Sequence, residues 1–489
     1  MSFSHIANRG TVQNKTASRT LAITPSGTIA VGRLLVIWTA WDNNQGSPYP
    51  TTASFDIELM NKVTDTQGNI YIQLACQQHV GGADGVRGAL YISKIRTQLT
   101  TSDTITIYSK DDGTGASDIV AKCASMHEFS MGTTGWCRYF DWDWDNWTTA
   151  QGDVPDLSVS TLDSQQYLIL HMLAVEGPNT DNYTWDGDYT QITGTGTTGG
   201  AADENVHIRG GWRIATVTSD TIAITSTTAD RDLTHSMILI AEVDIPSGAL
   251  TFPQFSIRDA FDRANENPLG FTPGNFWLYD SGGGGWGGAN PAVANATFKI
   301  VSNQVLPVLN NDDDYGFYYW NDDIPCLYGE VWATLATIPS NDIHNQSIPF
   351  PPTNPGRRGV GVSFIPAGVA GYESSLFRVG KFQVADSCHF EFPGSFFRTQ
   401  CWPGRDLVNG MRIGTQMIAH RYLHTYLDEN QGNGWEWLMC HDVAGIYGYN
   451  RPFRAALRMG GLNTAVDDFG GGHPCFQPDI IRRLEMPTL

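Results

Sequence analysis

The chain has 489 residues, 16% of them charged, and a formal net charge of −20. Its length exceeds what one ordinary core accommodates, so two large domains are expected. Because proteins that bind nucleic acid draw much of their affinity from clustered Lys and Arg, this acidic balance argues against a nucleic-acid partner. The longest apolar runs fall far short of the roughly 20 residues that span a bilayer, which argues against membrane insertion.

Threonine-rich alternating segments and 52 glycines spread through the chain favour short strands joined by tight turns. In "DTITIY" (103–108), Ile105 and Ile107 alternate with threonines, as in a half-buried strand. The run "YLILHMLAV" (167–175) is apolar on both faces and belongs at the centre of a sheet, where His171 is expected to be a core histidine rather than a ligand. We therefore predict an all-β protein.

The first ten residues, "MSFSHIANRG", have no basic flank followed by an apolar stretch, so no secretory signal is expected. The eight cysteines form no C-x-x-C pair and are interpreted as mostly reduced core residues without a zinc site. The pairs Cys123 with Cys137 and Cys388 with Cys401 have spacings that could bridge in an oxidising environment, which the sequence leaves open. A protein that folds in a host cytoplasm and is released by lysis fits a surface-like β composition without an export signal.

Several segments of the first half follow one another in an order that resembles a β-sandwich module of phage virion proteins and some bacterial surface proteins. The resemblance covers about residues 5–245, and we predict a first domain over 1–248. It implies a structural or adhesive role. It is carried by "GTIAVGRLLVIWTAWD" (27–42), "VTDTQGNIY" (63–71), "LYISKIRTQLTTSDTITI" (90–107), "HEFSM" (127–131) and "YLILHMLAVEG" (167–177).

The segment "WCRYFDWDWDNWTTA" (136–150) combines aromatic and acidic residues. In an extended strand, Trp142 and Trp144 lie on one face and three aspartates lie on the other. Burial against another chain is the favoured interpretation, because interfaces are enriched in aromatic residues. Glycan stacking and Ca²⁺ ligation are alternatives, although the Gly and Glu of a calcium loop are missing. The predicted site comprises Trp136, Trp142, Trp144, Trp147, Asp141, Asp143 and Asp145.

The stretch "GTGTTGG" (194–200) matches the G-x-G-x-x-G pattern of dinucleotide-binding loops. Such a loop must open a helix whose N-terminus meets the pyrophosphate, whereas Gly, Ala and Asp lead here into another strand. We interpret the segment as a flexible loop tip.

A second start occurs near the middle of the chain. The Pro-containing "DIPSGALTFP" (244–253) is predicted to be a linker, and "DAFDRANENPLG" (259–270) follows it. With "FKIVSNQVLPV" (298–308) and a closing "DDF" (467–469), this order resembles the concanavalin-A-like lectin/glucanase sandwich. The resemblance implies a jelly-roll domain over 255–489 whose first strand pairs near the closing strand around 466–469.

The hydrolase branch of that fold needs an E-x-D-x-x-E strand that aims paired carboxylates into a cleft. No such strand occurs in 255–489, where Glu330, Glu391 and Glu436 are solitary. The G-x-S-x-G motif of serine hydrolases, the H-E-x-x-H motif of zinc peptidases and the Walker phosphate-binding loop are absent as well. We therefore predict no enzyme activity and no cofactor, and the acidic "NNDDDYG" (310–316) is interpreted as a solvated hairpin tip with Ca²⁺ as an alternative.

Two tandem β-sandwiches without an export signal or a catalytic set favour a non-enzymatic protein on the outside of a phage particle, such as a decoration protein, head fibre or tail adhesin. Its expected partners are other virion proteins, further copies of itself, with a trimer favoured, and host-surface glycans. The alternatives are a secreted or surface carbohydrate-binding protein and, less favoured, a glycan hydrolase.

Overall fold

The structure is a computed structural model. It describes residues 3–42, 62–81, 84–108, 120–132, 135–148, 153–226, 231–244, 252–253, 257–259, 277–279, 298–307, 315–320, 328–337, 359–366, 375–382, 385–391, 398–402, 408–418, 422–430, 432, 434–442, 453–460 and 465–472.

The predicted all-β class is confirmed, since the described segments are strands joined by turns, with a single 3₁₀ turn at Ala202–Glu204 among them. The strands up to residue 244 are β1 (Ser4–Asn14), β2 (Thr20–Ile23), β3 (Leu34–Asp42), β4 (Lys62–Asp65), β5 (Tyr71–Gly81), β6 (Asp84–Lys94), β7 (Ile105–Tyr108), β8 (Lys122–Ser130), β9 (Gly135–Thr148), β10 (Asp153–Glu176), β11 (Tyr183–Trp185), β12 (Thr190–Gln191), β13 (Thr195–Gly196), β14 (Val206–Ser226) and β15 (Asp232–Asp244).

The later strands are β16 (Ile257–Asp259), β17 (Trp277–Tyr279), β18 (Phe298–Val301), β19 (Gln304–Pro307), β20 (Tyr315–Trp320), β21 (Tyr328–Thr337), β22 (Gly359–Pro366), β23 (Ser375–Phe382), β24 (Ala385–Glu391), β25 (Arg398–Trp402), β26 (Arg412–Ile418), β27 (Tyr422–Asp428), β28 (Glu436–Asp442), β29 (Phe453–Gly460) and β30 (Ala465–Gly472). No helix in the described residues has the length and apolar character that a membrane crossing requires.

The chain forms two compact units, and the main division falls between Ile245 and Pro246. Thr399–Arg405 belongs to the first unit, where its β25 residues pair with β5. The first unit has one sheet in the order β1-β8-β3-β6-β5 and another in the order β11-β14-β10-β15-β9, with a small sheet β2-β7-β4. At Gly88 of β6, an added Cβ would lie 3.0 Å or less from Met172, Ala174 and Thr234, so the two larger sheets pack closely face to face.

The centre of the second of these sheets is buried on both faces, as the run 167–175 predicted. Leu168, Leu170 and Met172 of β10 are fully buried on one face, and Tyr167, Ile169 and Leu173 on the other belong to a cluster that includes Tyr183 and Trp185. His171 lies within this core at 0% exposure, and its Nδ1 accepts a hydrogen bond from Trp185 Nε1 at 3.2 Å. The interpretation of His171 as a core histidine is confirmed.

Two local expectations in the first unit need correction. The stretch 194–200 is not simply a loop tip, because Thr195 and Gly196 pair with Ile208 and His207 of β14. The chain then enters the short 3₁₀ turn, so the rejection of a dinucleotide loop stands. Cys123 is a free, buried thiol, which rules out its suggested bridge to Cys137 in this structure. Burial raises the pKa of Cys123 to about 12.

The second unit has a sheet in the order β24-β23-β22-β29-β20-β17 and another in the order β28-β27-β26-β21-β30-β19-β18, with β16 beside β30. Ile257 pairs with Gly471 and Asp259 with Phe469, so the first strand of the second unit joins the closing strand as predicted. Within 298–308, β18 and β19 form a hairpin with Ser302 and Asn303 at φ 53° and 63° in its turn. Positive φ at both turn residues matches the twist of the flanking strands.

Buried apolar residues on the facing strands hold this second sandwich together. Alternate residues of β21, β26 and β27 are apolar and buried on one face, and Val360, Val362 and Leu457 of the other sheet are fully buried as well. The alternation leaves the remaining residues of β21, β26 and β27 on the opposite face of their sheet. That opposite face carries the candidate site. The buried apolar residues on the inner face of the three strands are Val331, Ala333, Leu335, Ile413, Met417, Leu423 and Leu427, with Thr415 and Thr425 buried among them.

Candidate functional site

The face of the second unit's sheet that points away from the apolar core carries aromatic and polar residues in ordered rows. Residues directly opposite one another on neighbouring strands share a face, so the register defines which side chains are adjacent. Three such rows run across β30, β21, β26, β27 and β28. We call this surface the aromatic face.

The central row is aromatic with glycines between. Trp332 lies opposite Gly470 on one side and Gly414 on the other, Gly414 lies opposite Tyr426, and Tyr426 lies opposite Trp437. Trp332 and Trp437 are half-buried, so part of each indole remains accessible. With a spacing of about 4.8 Å between strands, the two tryptophans are separated by about 14 Å at the backbone.

Neighbouring aromatic rings leave no room for a Cβ at Gly470 or Gly414. A Cβ on Gly470 would lie 2.3 Å from Cε2 of Trp332, and a Cβ on Gly414 would lie 2.1 Å from Cζ of Phe252. These positions therefore leave room for rings that lie flat against the sheet.

A polar row flanks the aromatic row on one side. Glu330, Gln416, His424 and Cys440 lie opposite one another in that order, and all four are buried. Gln416 Oε1 accepts a hydrogen bond from the Tyr426 hydroxyl at 3.1 Å, which links the two rows. Burial raises the pKa of Tyr426, so this hydroxyl stays a neutral donor.

The other flanking row is charged. Asp468, Thr334, Arg412 and Asp428 lie opposite one another. Arg412 Nε donates to Asp428 Oδ2 at 3.0 Å, and the guanidinium also lies 4.8 Å from the centre of the Trp435 ring. The ion pair and the cation–π contact fix the orientation of both side chains.

Two indole donors on or beside the aromatic face have no hydrogen-bond partner in the described structure, Nε1 of Trp332 and Nε1 of Trp435. An enclosed donor without a partner costs free energy, typically about 1–3 kcal/mol. An acceptor oxygen from a bound molecule or an ordered water would remove that cost.

Among the described residues, the three candidate glutamates occupy separate positions. Glu330 is fully buried on β21, Glu436 lies opposite Leu427, and Glu391 belongs to the other sheet of the unit. Retaining and inverting glycosidases need two carboxyl groups on either side of one bond. The prediction that the chain is not an enzyme remains a prediction.

His424 and Cys440 also resemble a nucleophile and its base, with Cys440 Sγ 3.5 Å from His424 Nε2. Trp437 Nε1 donates to His424 Nδ1 at 3.1 Å, which places the proton of the neutral imidazole on Nε2. Nε2 then has no lone pair to accept the thiol proton. This arrangement positions His424 and Trp437 and does not activate Cys440.

The site predicted on 136–150 lies in the first unit, on β9. Trp142 and Trp144 lie opposite Ile238 and Ser236, and Asp143 and Asp145 lie opposite Met237 and His235. The extended strand thus gives the predicted separation of these two tryptophans from the aspartates, with Asp141 opposite Leu239. Trp136 and Trp147 lie opposite Val243 and Leu233, on the aspartate side of the strand.

Thr234, Ser236 and Ile238 share one face of β15, and Thr234 approaches Gly88 of the other sheet. Positions 142 and 144, opposite Ile238 and Ser236, therefore lie on the inward face of their sheet. The interface and glycan interpretations of this segment remain predictions. The acidic stretch 310–316 lies outside the described residues except for Tyr315 and Gly316. Within the described part of the chain, no group of three His, Cys, Asp or Glu residues could hold a metal ion.

No family model and no curated protein matches the chain. Solved structures with a detectable likeness include the exoplasmic/lumenal domain of VIP36 in its Ca²⁺/Man-bound form, with 8% identity and a TM-score of 0.26 over 40% of this chain and 82% of that chain. The metal-free form of that domain matches with 10% identity and a TM-score of 0.27 over 40% of this chain and 84% of that chain. An engineered GH43 glycoside hydrolase with endo-xylanase and exo-arabinofuranosidase activity matches with 11% identity and a TM-score of 0.24 over 48% of this chain and 49% of that chain. Likenesses this distant assign no ligand, metal or activity to this chain.

Proposed function

We propose that the protein binds carbohydrate, without cleaving it, on the aromatic face of its second unit. The observation that carries the proposal is the aromatic row, whose Trp332 and Trp437 are partly accessible. The charged row beside it is partly accessible at Thr334, Arg412 and Asp468, whereas the polar row on the other side is buried and supports Tyr426 from within. Sugar rings present apolar C–H faces that stack on aromatic rings, and their hydroxyls require donors and acceptors at the rim. Binding sites of this kind combine apolar surface with a few placed polar groups.

The dimensions favour an oligosaccharide over a single sugar. The row from Trp332 to Trp437 crosses three strand intervals, about 14 Å, which exceeds one pyranose ring. The cation on the face is already matched, because Arg412 pairs with Asp428. A neutral glycan fits this balance better than an anionic one.

The virion adhesin expected from the sequence stays a prediction, and glycan contact is the part of it that the aromatic face supports. We further propose that the protein assembles with further copies or other virion proteins and is located on a phage particle.

The test is a titration of the intact protein with neutral hexasaccharides of glucose, mannose and xylose by isothermal calorimetry. We expect at least one to bind, and Trp332→Ala to weaken that binding about tenfold or more, which corresponds to about 1.4 kcal/mol. Trp332→Phe is the matched control, because it keeps a stacking ring and should lose less. Absence of binding by all three, or equal binding by the Ala variant with an unchanged melting temperature, would overturn the proposal.

A further inference from the structure

Phe252 occupies the middle of the aromatic face although it belongs to no strand of that sheet. Its ring lies parallel to the Tyr426 ring, with centroids 4.4 Å apart and an interplanar angle of 8°. The Trp435 ring is nearly perpendicular to the Phe252 ring, with centroids 4.6 Å apart and an angle of 88°. Phe252 is consequently only 7% exposed.

The space that Phe252 fills has the size of one ring. Gly414 forms its base, since an added Cβ there would meet Phe252 Cζ at 2.1 Å and Cε1 at 2.4 Å. Gly414 lies between Trp332 and Tyr426 in the aromatic row, so the filled space lies between the two accessible indoles. A ligand that spans the row must pass over or through this position.

Phe252 enters this space from the segment that follows the division between the two units at Ile245 and Pro246. The sheet itself would leave an aromatic floor, Tyr426, beside the indole wall of Trp435. A parallel ring on Tyr426 makes the same kind of contact that the apolar face of a pyranose would make.

We propose that Phe252 is an internal occupant of the central sugar subsite and that a bound glycan displaces it. This inference rests on the proposed carbohydrate binding. In the closed state, Phe252 lies on Tyr426 and a glycan binds only at the flanking indoles. In the open state, Phe252 has left Tyr426 and a third position of the size of one ring is exposed. Because binding then competes with the internal contact, the apparent affinity is reduced by the fraction of protein that is open.

The first experiment compares Phe252→Ala with the unmodified protein in the hexasaccharide titration. Removal of the competitor should tighten binding about tenfold or more, while the melting temperature falls because a buried ring is lost. Val301→Ala, at a 37% exposed position of the same unit, is the control and should change neither. Equal or weaker binding by folded Phe252→Ala would show that Phe252 is a wall of the site or simple packing, and would overturn the inference.

The second experiment does not depend on the stability of that variant. Full-length protein with 4-fluorophenylalanine at position 252 is followed by ¹⁹F NMR during titration with the same hexasaccharide. At saturation we expect the resonance to move to the position seen in denatured protein, as for a solvent-exposed ring. A resonance that keeps its buried position at saturation would contradict displacement while leaving carbohydrate binding intact. Failure of both the unmodified protein and Phe252→Ala to bind any hexasaccharide would instead remove the proposed function itself.

Discussion

At the scale of single residues, the first unit encloses several histidines that are neutral because they are buried. Desolvation lowers the pKa of His207 to about 4 and that of His235 to about 3. His127 is lowered to about 4 by desolvation and by the nearby His5. Both ring nitrogens of His235 lack a hydrogen-bond partner in the described structure.

These histidines make stability depend on pH. Their folded pKa values lie below the ordinary value near 6.5, so the unfolded chain binds more protons between about pH 6.5 and pH 4. The free energy of unfolding is therefore highest above pH 6.5 and decreases as the pH falls through that window. We expect His235→Leu to reduce the loss by up to about 1.4 kcal/mol per pH unit, measured by urea denaturation at pH 8, 7, 6 and 5. Between pH 8 and 7 the variant and the parent should show the same slope, and a parallel fall at lower pH would refute the assignment.

A second prediction concerns the effect of a side chain at Gly470 on stability. Its missing Cβ makes room for the Trp332 indole, so Gly470→Ala should destabilise the protein by about 1–3 kcal/mol through overpacking. Gly187→Ala is a suitable control, because nothing lies within 4 Å of the added Cβ. Thermal unfolding measures both, and an unchanged midpoint for Gly470→Ala would show that Trp332 moves freely.

At the scale of elements, the alternation in the sequence indicated strands and their two faces, but not which strands lie side by side. The pattern of Glu330, Trp332 and Thr334 against Val331 and Ala333 could have identified a polar face on β21. The adjacency of Trp332 to Gly414 and Tyr426 could not be predicted, because lateral register depends on pairing between strands distant in the chain.

Other elements were misread for equally physical reasons. The segments "GWRIATVT" (211–218) and "DTIAITST" (220–227) have the pattern of two separate strands. Residues 211–218 and 220–226 are instead parts of the single long β14, since Ser219 and Asp220 remain paired with Ser160 and Val159 of β10 instead of turning. The two prolines and one glycine of 244–253 predict a linker and give no indication that Phe252 is buried. Its burial depends on Tyr426 and Trp435, far away in sequence, and no local signal reports such contacts.

The side chains of Asn69 and Asp65 stabilise the turn in "DTQGN" (65–69), where Asp65 Oδ1 accepts from the backbone N–H groups of Gln67 and Asn69. Asn69 is 1% exposed; its Nδ2 donates to Asp65 Oδ2 and Thr97 O, and its Oδ1 accepts from the backbone N–H groups of Arg96 and Thr97. Asn69 therefore joins two turns of the first unit.

We expect Asn69→Ala to cost about 3 kcal/mol, because buried backbone groups lose their partners. Thr101→Ala, at an exposed turn position of the same unit, should cost less than about 1 kcal/mol. Chemical denaturation compares the two, and similar small losses for both would show that solvent replaces the bonds of Asn69.

At the scale of the whole molecule, the sequence predicts a homo-oligomer with Trp142 and Trp144 of β9 at the interface. We expect the double change of both residues to Ala to lower the mass measured by light scattering. An unchanged mass together with a lower melting temperature would assign the two indoles to the core, on the inward sheet face that their register with Ile238 and Ser236 gives them.

Hydroxyl-radical footprinting read by mass spectrometry distinguishes glycan binding on the aromatic face from binding elsewhere on the molecule. With a saturating hexasaccharide, we expect oxidation of Trp332 and Trp437 to fall several-fold while oxidation of Trp142 and Trp144 is unchanged. Protection of Trp142 and Trp144 without protection of Trp332 and Trp437 would place the site in the first unit and overturn the proposed function.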